Sequence, residues 1–115
     1  MAITLYGIPN CDTVKKARAW FAEHGHAHQF HDFKKAGVPE ARLDAWLQAL
    51  GWERLLNRKG TSWRQLDEAV RAGVTDEAGA RRVMLAAPSS IKRPVLEWAD
   101  GAISVGFDPV DWARR

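Results

Sequence analysis

The chain has 115 residues, of which 46% are hydrophobic and 27% charged, with 17 lysines and arginines against 14 aspartates and glutamates. This length and composition predict one globular domain over residues 1–115 with a single core. The single cysteine excludes an internal disulfide, no apolar run is long enough to cross a membrane, and no signal peptide is visible. We therefore expect a cytoplasmic protein.

The first third of the chain predicts a parallel strand–helix–strand unit. The segment "ITLY" is rich in β-branched and aromatic residues, and Gly7 ends this strand. A helix follows from Asp12 to the region of Gly25, with apolar residues at helical spacing: Val14, Ala17 and Phe21. The segment "HQFHDF" predicts the second strand, which would lie parallel to the first because a helix connects them.

The middle of the chain predicts helices. One helix begins at Pro39 and ends at Gly51, and "WERLLN" adds a further turn. The capping box Ser62–Gln65 predicts another helix, with three apolar residues on one face: Trp63, Leu66 and Val70. Thr75 is expected to cap a last helix in this region, and Pro88 to end it.

The tail predicts a hairpin, because "VLEW" and "AISVGF" flank a turn that contains the dipeptide Asp100–Gly101. A short helix after Pro109 would hold Trp112. The order of elements predicts an α/β fold, namely a thioredoxin-like mixed sheet of four strands with a helical insertion at approximately residues 37–88.

Cys11 lies at the turn between the first strand and the first helix. Asn10 is a plausible helix cap, which would place Cys11 at the first helical position, where unpaired N–H groups and the helix dipole favour a thiolate. Lys15 lies one helical turn further on the same face and adds positive charge. Thr13 either turns its hydroxyl toward the sulfur or caps the helix. Because the thiolate is the nucleophilic form of cysteine, the position favours a reactive residue over a buried filler.

The segment "IKRPVL" predicts a second part of the same site. Pro94 comes directly before a strand, and the preceding Arg93 is restricted to extended geometry. In thioredoxin-like folds a cis-proline before the third strand lies beside the active thiol, so Arg93 would reach the pocket of Cys11. A thiolate, a guanidinium and free N–H groups suit an oxyanion or a glutathione carboxylate. A solvated surface arginine fits the sequence equally well.

The charge pattern favours small anionic ligands over nucleic acid, since the net charge is only +3 and no block of five like charges occurs. We expect no direct binding of nucleic acid and no association with a membrane. Four histidines cluster along the sequence: His24, His26, His28 and His31. They span a helix end, a turn and a strand start with no cysteine nearby, so we expect a solvated turn and no metal.

Three segments occur in a familiar order along nearly the whole chain: "LYGIPNCDTVKKAR", "GWERLLNRKGTSWRQL" and "IKRPVL". Together they resemble the arsenate reductase family, the ArsC/Spx/YffB group, and most closely its YffB-like branch. The resemblance implies that Cys11 is the nucleophile, that Lys15 keeps the basic charge four positions later, and that Arg93 is the family's arginine that precedes the proline. It also implies that glutathione, and glutaredoxin with it, resolves the adduct.

Two departures from the family pattern bear on the substrate. Asn57 stands where the glutathione-dependent arsenate reductases have an arginine, with Arg58 next to it, and the family's third arginine is absent near Phe107. We therefore expect a glutathione-linked monothiol reductase that acts on an oxidised thiol, a disulfide or another oxyanion. A true arsenate reductase is an alternative.

A second alternative is an Spx-like adaptor that binds the α subunit of RNA polymerase. Members of that branch usually switch through a Cys-x-x-Cys pair, but Val14 occupies the second position here. The predicted site has Cys11 as its catalytic residue and six residues for substrate or glutathione: Asn10, Thr13, Lys15, Arg58, Arg93 and Pro94. No bound cofactor is expected, with glutathione as a co-substrate.

Overall fold

The computed structural model describes residues 2–115. The chain divides into two compact units. One contains the residues up to Phe33 together with Arg93–Arg115, and the other contains Lys34–Lys92, which includes the segment predicted as a helical insertion. Within residues 2–115 there is no helix with the length and apolar character needed to cross a membrane.

The first unit is built on one mixed sheet of four strands, as the sequence predicts. The strands are β1 (Ile3–Gly7), β2 (His28–Asp32), β3 (Val95–Glu97) and β4 (Ile103–Val105). Their order across the sheet is β2-β1-β3-β4. β1 pairs in parallel with β2, antiparallel with β3, and β3 pairs antiparallel with β4. Because β1 and β3 are antiparallel and Tyr6 pairs with Val95, the loop after β1 begins beside the start of β3.

Helix α1 (Asp12–Glu23) covers one face of this sheet. Ile3 and Leu5 both pack against the helix, because side chains two residues apart on a strand point to the same face of the sheet. The buried cluster comprises Ile3, Leu5, Val14, Ala17, Trp20, Phe21, Leu96, Trp98 and Trp112. The three helical residues predicted to be buried, Val14, Ala17 and Phe21, are fully covered.

The hairpin between β3 and β4 and the last helix, which we label α8, complete the first unit. In the turn, the carboxylate of Asp100 accepts a hydrogen bond of 3.0 Å from the Ala102 N–H. Helix α8 (Pro109–Trp112) begins after Asp108, whose carboxylate accepts from the N–H of Asp111. Trp112 is buried and stacks on Phe21 with ring centroids 5.1 Å apart. The predicted hairpin and terminal helix are both present.

The second unit is helical. Its elements are α2 (Phe33–Ala36, beginning at the last residue of the first unit), α3 (Glu40–Leu50), α4 (Trp52–Leu55), α5 (Thr61–Arg64), α6 (Glu68–Ala72), α7 (Glu77–Ala86) and a 3-10 turn (Pro88–Ser90). A single antiparallel bridge joins Leu56 to Ile91, and the N–H of Asn57 donates to the carbonyl of Ser90 at 2.8 Å. These bonds hold the segment after α4 against the segment after α7.

Two predicted helix caps in this unit are wrong. Ser62 lies inside α5, which follows Gly60 and has no side-chain cap. Because the extended backbone of Asp67 (φ −56°, ψ 143°) interrupts the predicted helix, two short helices form, and Val70 is 44% exposed instead of buried. Asp76, one residue after Thr75, caps α7 by accepting from the N–H of Gly79 at 2.9 Å, since its carboxylate is the acceptor placed at the N-cap.

The close approach of α1 to β1 depends on Gly7 and generates a first prediction. A Cβ atom at Gly7 would lie 2.8 Å from the Cγ2 of Val14, a β-branched side chain with little rotamer freedom on a helix. We expect Gly7→Ala to lower the free energy of unfolding by about 1–3 kcal/mol, measured by urea denaturation.

Gly73→Ala is the matched control, because a Cβ there makes ordinary contacts of 3.5 Å and its φ of −77° suits any residue. It should leave stability nearly unchanged or raise it slightly. Combining Gly7→Ala with Val14→Ala should cost less than the sum of the two single changes, since the shortened side chain relieves the clash. Full additivity of the two changes would contradict this account of Gly7.

Candidate active site

Cys11 is the N-cap of α1. Its backbone is extended (φ −145°, ψ 122°), and its carbonyl accepts the hydrogen bond of 2.9 Å from the N–H of Lys15 that begins the helix. The prediction that Asn10 caps the helix and that Cys11 is its first residue is therefore wrong by one position. The reason is that the backbone becomes helical only at Asp12. Asn10 lies exposed before the cap.

This shift places the cysteine sulfur where a capping oxygen normally lies. An N-cap side chain faces the N–H groups of the second and third helical residues, which are Thr13 and Val14 here. The thiol forms no ordinary cap hydrogen bond, whereas both N–H groups favour its thiolate form. The sequence reasoning missed the contribution of Val14. With Cys11 as the N-cap, the third helical residue is Val14, so a cap assigned to Cys11 instead of Asn10 would have identified this N–H group.

Arg93 is the side chain that acts on the sulfur from outside the helix. Its guanidinium hydrogen-bonds to the thiol of Cys11 and stabilises the thiolate by charge. Burial raises the pKa of the Cys11 thiol, but the N–H of Val14, the guanidinium of Arg93 and the N–H of Thr13 together outweigh burial. The pKa of Cys11 is therefore lowered from its usual range, so a larger fraction of this thiol is the nucleophilic thiolate at a given pH than in an ordinary cysteine.

The turn before β3 carries Arg93 to the site. The peptide bond between Arg93 and Pro94 is cis, as the sequence reasoning expected of this proline. The carbonyl of Pro94 accepts a hydrogen bond of 2.9 Å from the N–H of Gly106 at the end of β4. Because Val95 pairs with Tyr6 near the end of β1, the turn lies at the same edge of the sheet as the loop that contains Cys11.

Lys15 contacts Cys11 through the backbone, and its predicted effect on the thiol stays a prediction. Its side chain is exposed, and it is not among the groups in residues 2–115 that shift the pKa of Cys11. Its contact with Cys11 is through the backbone, where its N–H donates to the cysteine carbonyl. A contact of Lys15 with substrate stays a prediction.

Arg58 and Asn57 lie in the other unit of the chain. Arg58 is exposed, and its guanidinium lies 5.4 Å from the centroid of the Trp52 ring. The side-chain oxygen of Asn57 accepts from the N–H of Lys59 at 3.2 Å, and a Cβ on Gly60 would lie 2.7 Å from its Nδ2. Asn57 therefore shapes the "NRKG" loop. A role of Arg58 in binding substrate or glutathione stays a prediction.

Phe107 occupies the region where the resemblance implied a third arginine. It packs against the same buried cluster that Cys11 contacts, and its ring meets Trp112 edge-on at 5.0 Å between centroids. A guanidinium at this position would have to leave the apolar cluster or be buried in it. This position therefore supplies apolar surface instead of positive charge.

The histidine segment is built into aromatic packing. His24 and His26 stack on Trp20 with centroids 3.9 and 5.6 Å away, and Nδ1 of His24 lies 2.8 Å from the Trp20 carbonyl oxygen. Within the part of the chain that the structure describes, no group of three or more His, Cys, Asp or Glu is placed to hold a metal ion.

A four-stranded mixed sheet, with a cysteine at the start of the first helix and a cis-proline before the third strand, defines a thioredoxin-like protein. Residues 6–114 match the family model described as the ArsC family. The chain belongs to the ArsC family.

Similar proteins cover nearly the full length of the chain. An uncharacterized protein of Haemophilus influenzae is 40% identical over 110 residues, which make up 96% of this chain and 95% of the relative. The solved YFFB protein is 50% identical, with a TM-score of 0.92 over 98% of this chain and 97% of its own. A solved arsenate reductase (ArsC) related protein from Brucella melitensis is 53% identical, with a TM-score of 0.77 over 99% of this chain and 93% of its own.

The contact between Arg93 and Cys11 generates a second prediction. Arg93→Met should raise the pKa of Cys11, since the variant loses both a hydrogen bond and a positive charge next to the thiolate. The pKa is measured from thiolate absorbance as a function of pH. Lys15→Met and Lys92→Met are the matched controls, because each removes one exposed positive charge close in sequence to Cys11 or Arg93. Both should shift the pKa of Cys11 much less. An equal shift in Lys15→Met would restore the predicted role of that ammonium.

The lowered pKa of Cys11 also predicts a pH-dependent contribution to stability. The folded chain holds the thiolate better than the unfolded chain does, so the stabilisation is fully present above the unfolded pKa of about 8.5. It is lost as the pH falls through the lower folded pKa. The difference in unfolding free energy between the wild type and Cys11→Ser should therefore grow with pH between these two values and then level off. Urea denaturation across this window measures it, and a difference that does not change with pH would contradict it.

Proposed function

We propose that this protein is a glutathione-dependent monothiol reductase, with Cys11 as its redox nucleophile. The observation that carries the proposal is the environment of the sulfur. The N–H groups of Val14 and Thr13 and the guanidinium of Arg93 converge on it and lower its pKa. A small buried cysteine without a chemical role would show the effect of burial alone, which is a raised pKa.

The reduction proceeds by two thiol–disulfide exchanges. In the first, the Cys11 thiolate attacks the glutathione sulfur of a mixed disulfide between glutathione and a substrate thiol. A bond forms between Cys11 and that glutathione, the original disulfide breaks, and the substrate leaves as a thiolate that takes up a proton. The guanidinium of Arg93 then lies beside the new disulfide, where it can hold a glutathione carboxylate.

The second exchange requires a thiol from outside the chain, because the sequence contains a single cysteine. A free glutathione thiolate attacks the glutathione sulfur attached to Cys11. This step releases glutathione disulfide and regenerates the Cys11 thiolate, so that one substrate disulfide is reduced and one free glutathione is consumed. Glutaredoxin can supply the second thiol in the same way. The proposal needs no bound cofactor or metal.

The charge around Cys11 favours an organic disulfide over arsenate. A small oxyanion with more than one negative charge requires several convergent cations for tight binding. Of the three positions at which the family resemblance implies an arginine, only Arg93 is one: Phe107 supplies apolar packing, and Asn57 has no charge and accepts a hydrogen bond within its own loop. A disulfide is neutral at the reacting sulfurs, so one guanidinium for a glutathione carboxylate is enough.

The third prediction concerns turnover in the presence of glutathione. Cys11→Ser should abolish reduction of a glutathionylated peptide, because a hydroxyl is not ionised near neutral pH and cannot form the mixed disulfide. The rate is measured by coupling glutathione disulfide formation to glutathione reductase, with arsenate as the competing substrate. The wild type should turn over the peptide faster than arsenate.

Arg93→Met separates the two contributions of that arginine. A rise of one pKa unit should lower the rate about threefold near pH 7, since thiolate loss is partly offset by greater nucleophilicity. This part of the defect should disappear at alkaline pH, where both proteins are ionised, whereas a defect in binding glutathione persists. Activity that survives in Cys11→Ser would overturn the mechanism. Absence of turnover in the wild type with both substrates would favour the adaptor that binds RNA polymerase.

A further inference from the structure

A cavity of about 520 Å³ lies in the first unit, at the other end of the sheet from Cys11. Ile3, the first residue of β1, lines it, whereas Cys11 lies in the loop that follows Gly7, the last residue of the same strand. The four-residue rise along β1 separates the two ends by roughly 13 Å. The hairpin turn, including Asp100, closes another side of the cavity. The cavity is therefore distinct from the site of the thiol chemistry, and its volume lies in the range of small-molecule sites.

The walls of the cavity combine apolar surface with a fixed cation. Ile3 and Trp98 contribute the apolar part, and the Trp98 indole N–H donates to the hydroxyl of Ser104 at 2.9 Å, which fixes the ring. The guanidinium of Arg115 lies 4.4 Å from the centroid of the Trp98 ring, and its Nε donates to Asp111 at 3.2 Å. This double contact orients Arg115 and leaves the two terminal nitrogens of its guanidinium for a further partner.

Two carboxylates and two guanidinium groups line the cavity, and each carboxylate has a hydrogen-bond partner of its own. Asp111 accepts from Arg115, and Asp100 accepts from the Ala102 N–H within the turn. Arg114 also lines the cavity, with an exposed side chain. Since a guanidinium has five N–H donors and Arg115 uses one of them on Asp111, the two arginines keep most of their donors for a further partner.

We propose that this cavity binds a small organic anion, whose carboxylate or phosphate group meets Arg114 and Arg115 and whose apolar body lies against Ile3 and Trp98. The inference does not depend on the thiol chemistry. Oriented guanidinium groups favour planar, bidentate oxyanions over other ligands. An inorganic anion would leave the apolar walls unfilled, and an organic cation would be repelled by the two arginines. Both should therefore bind more weakly than an organic anion with an apolar ring.

The test is a titration of the full chain, followed through the indole N–H of Trp98 and the backbone amides of the turn in two-dimensional NMR spectra. The probes are benzoate, phenyl phosphate, inorganic phosphate and benzylamine. Benzoate or phenyl phosphate should give saturable shifts confined to the cavity, inorganic phosphate should bind at least about tenfold more weakly, and benzylamine should not bind. A stronger response to phenyl phosphate than to benzoate would assign the oxyanion as a phosphate, and the reverse as a carboxylate.

Variants distinguish this cavity from other basic positions. Arg114→Met and Arg115→Met should each weaken binding of the better probe about tenfold or more. Arg18→Met is the matched control, because it also removes a guanidinium that lies over an aromatic ring, 4.5 Å from the centroid of Phe30, but outside the cavity. It should leave binding unchanged.

Three outcomes would overturn the proposal: no saturable shift with either anion, equal binding of benzylamine, or shifts confined to Cys11 and the start of α1. Cys11→Ser serves as a further control, since it removes the thiol chemistry and should keep the anion site intact. A Cys11→Ser protein that binds benzoate normally but has no reductase activity separates the two sites. Because wild-type probe selectivity decides the question by itself, a poorly folded Arg115→Met variant does not weaken the test.

Discussion

The start of α1 is the constraint on which the site depends. Cys11 has extended backbone geometry and takes the N-cap position, so that its sulfur faces the first N–H groups of the helix. Val14, on the first turn of α1, lies close to β1, where Gly7 leaves room for its side chain. The contact that buries the core of the first unit therefore also sets the direction of the thiol.

The balance of forces at Cys11 explains why the pKa of a partly buried thiol is lowered instead of raised. Burial by itself penalises the thiolate, and the helix N–H groups and Arg93 have to exceed that penalty. Arg93 comes from a remote part of the chain, and the antiparallel pairing of β1 with β3 places it there. The sheet thus contributes one half of the site and the helix contributes the other.

The two ends of the sheet differ in character. The end near Cys11 is dominated by backbone N–H groups and one guanidinium, which suits covalent chemistry at sulfur. The opposite end has a cavity with Trp98 and paired charges around Arg115, which suits reversible binding. Both ends belong to one compact unit of an ArsC-family protein, so the same sheet can carry both without sharing residues.

The sequence by itself determined the four strands, the first helix and the terminal hairpin, because hydrophobic period and Asp-Gly turns are local signals. It misplaced the caps at Asn10, Ser62 and Thr75, since the competing acceptors lie one or a few residues apart and only the backbone path chooses among them. The tertiary structure alone decided which cation acts on the thiol. Lys15 is near Cys11 in sequence but points to solvent, whereas Arg93 is remote in sequence and is brought to the sulfur by strand pairing.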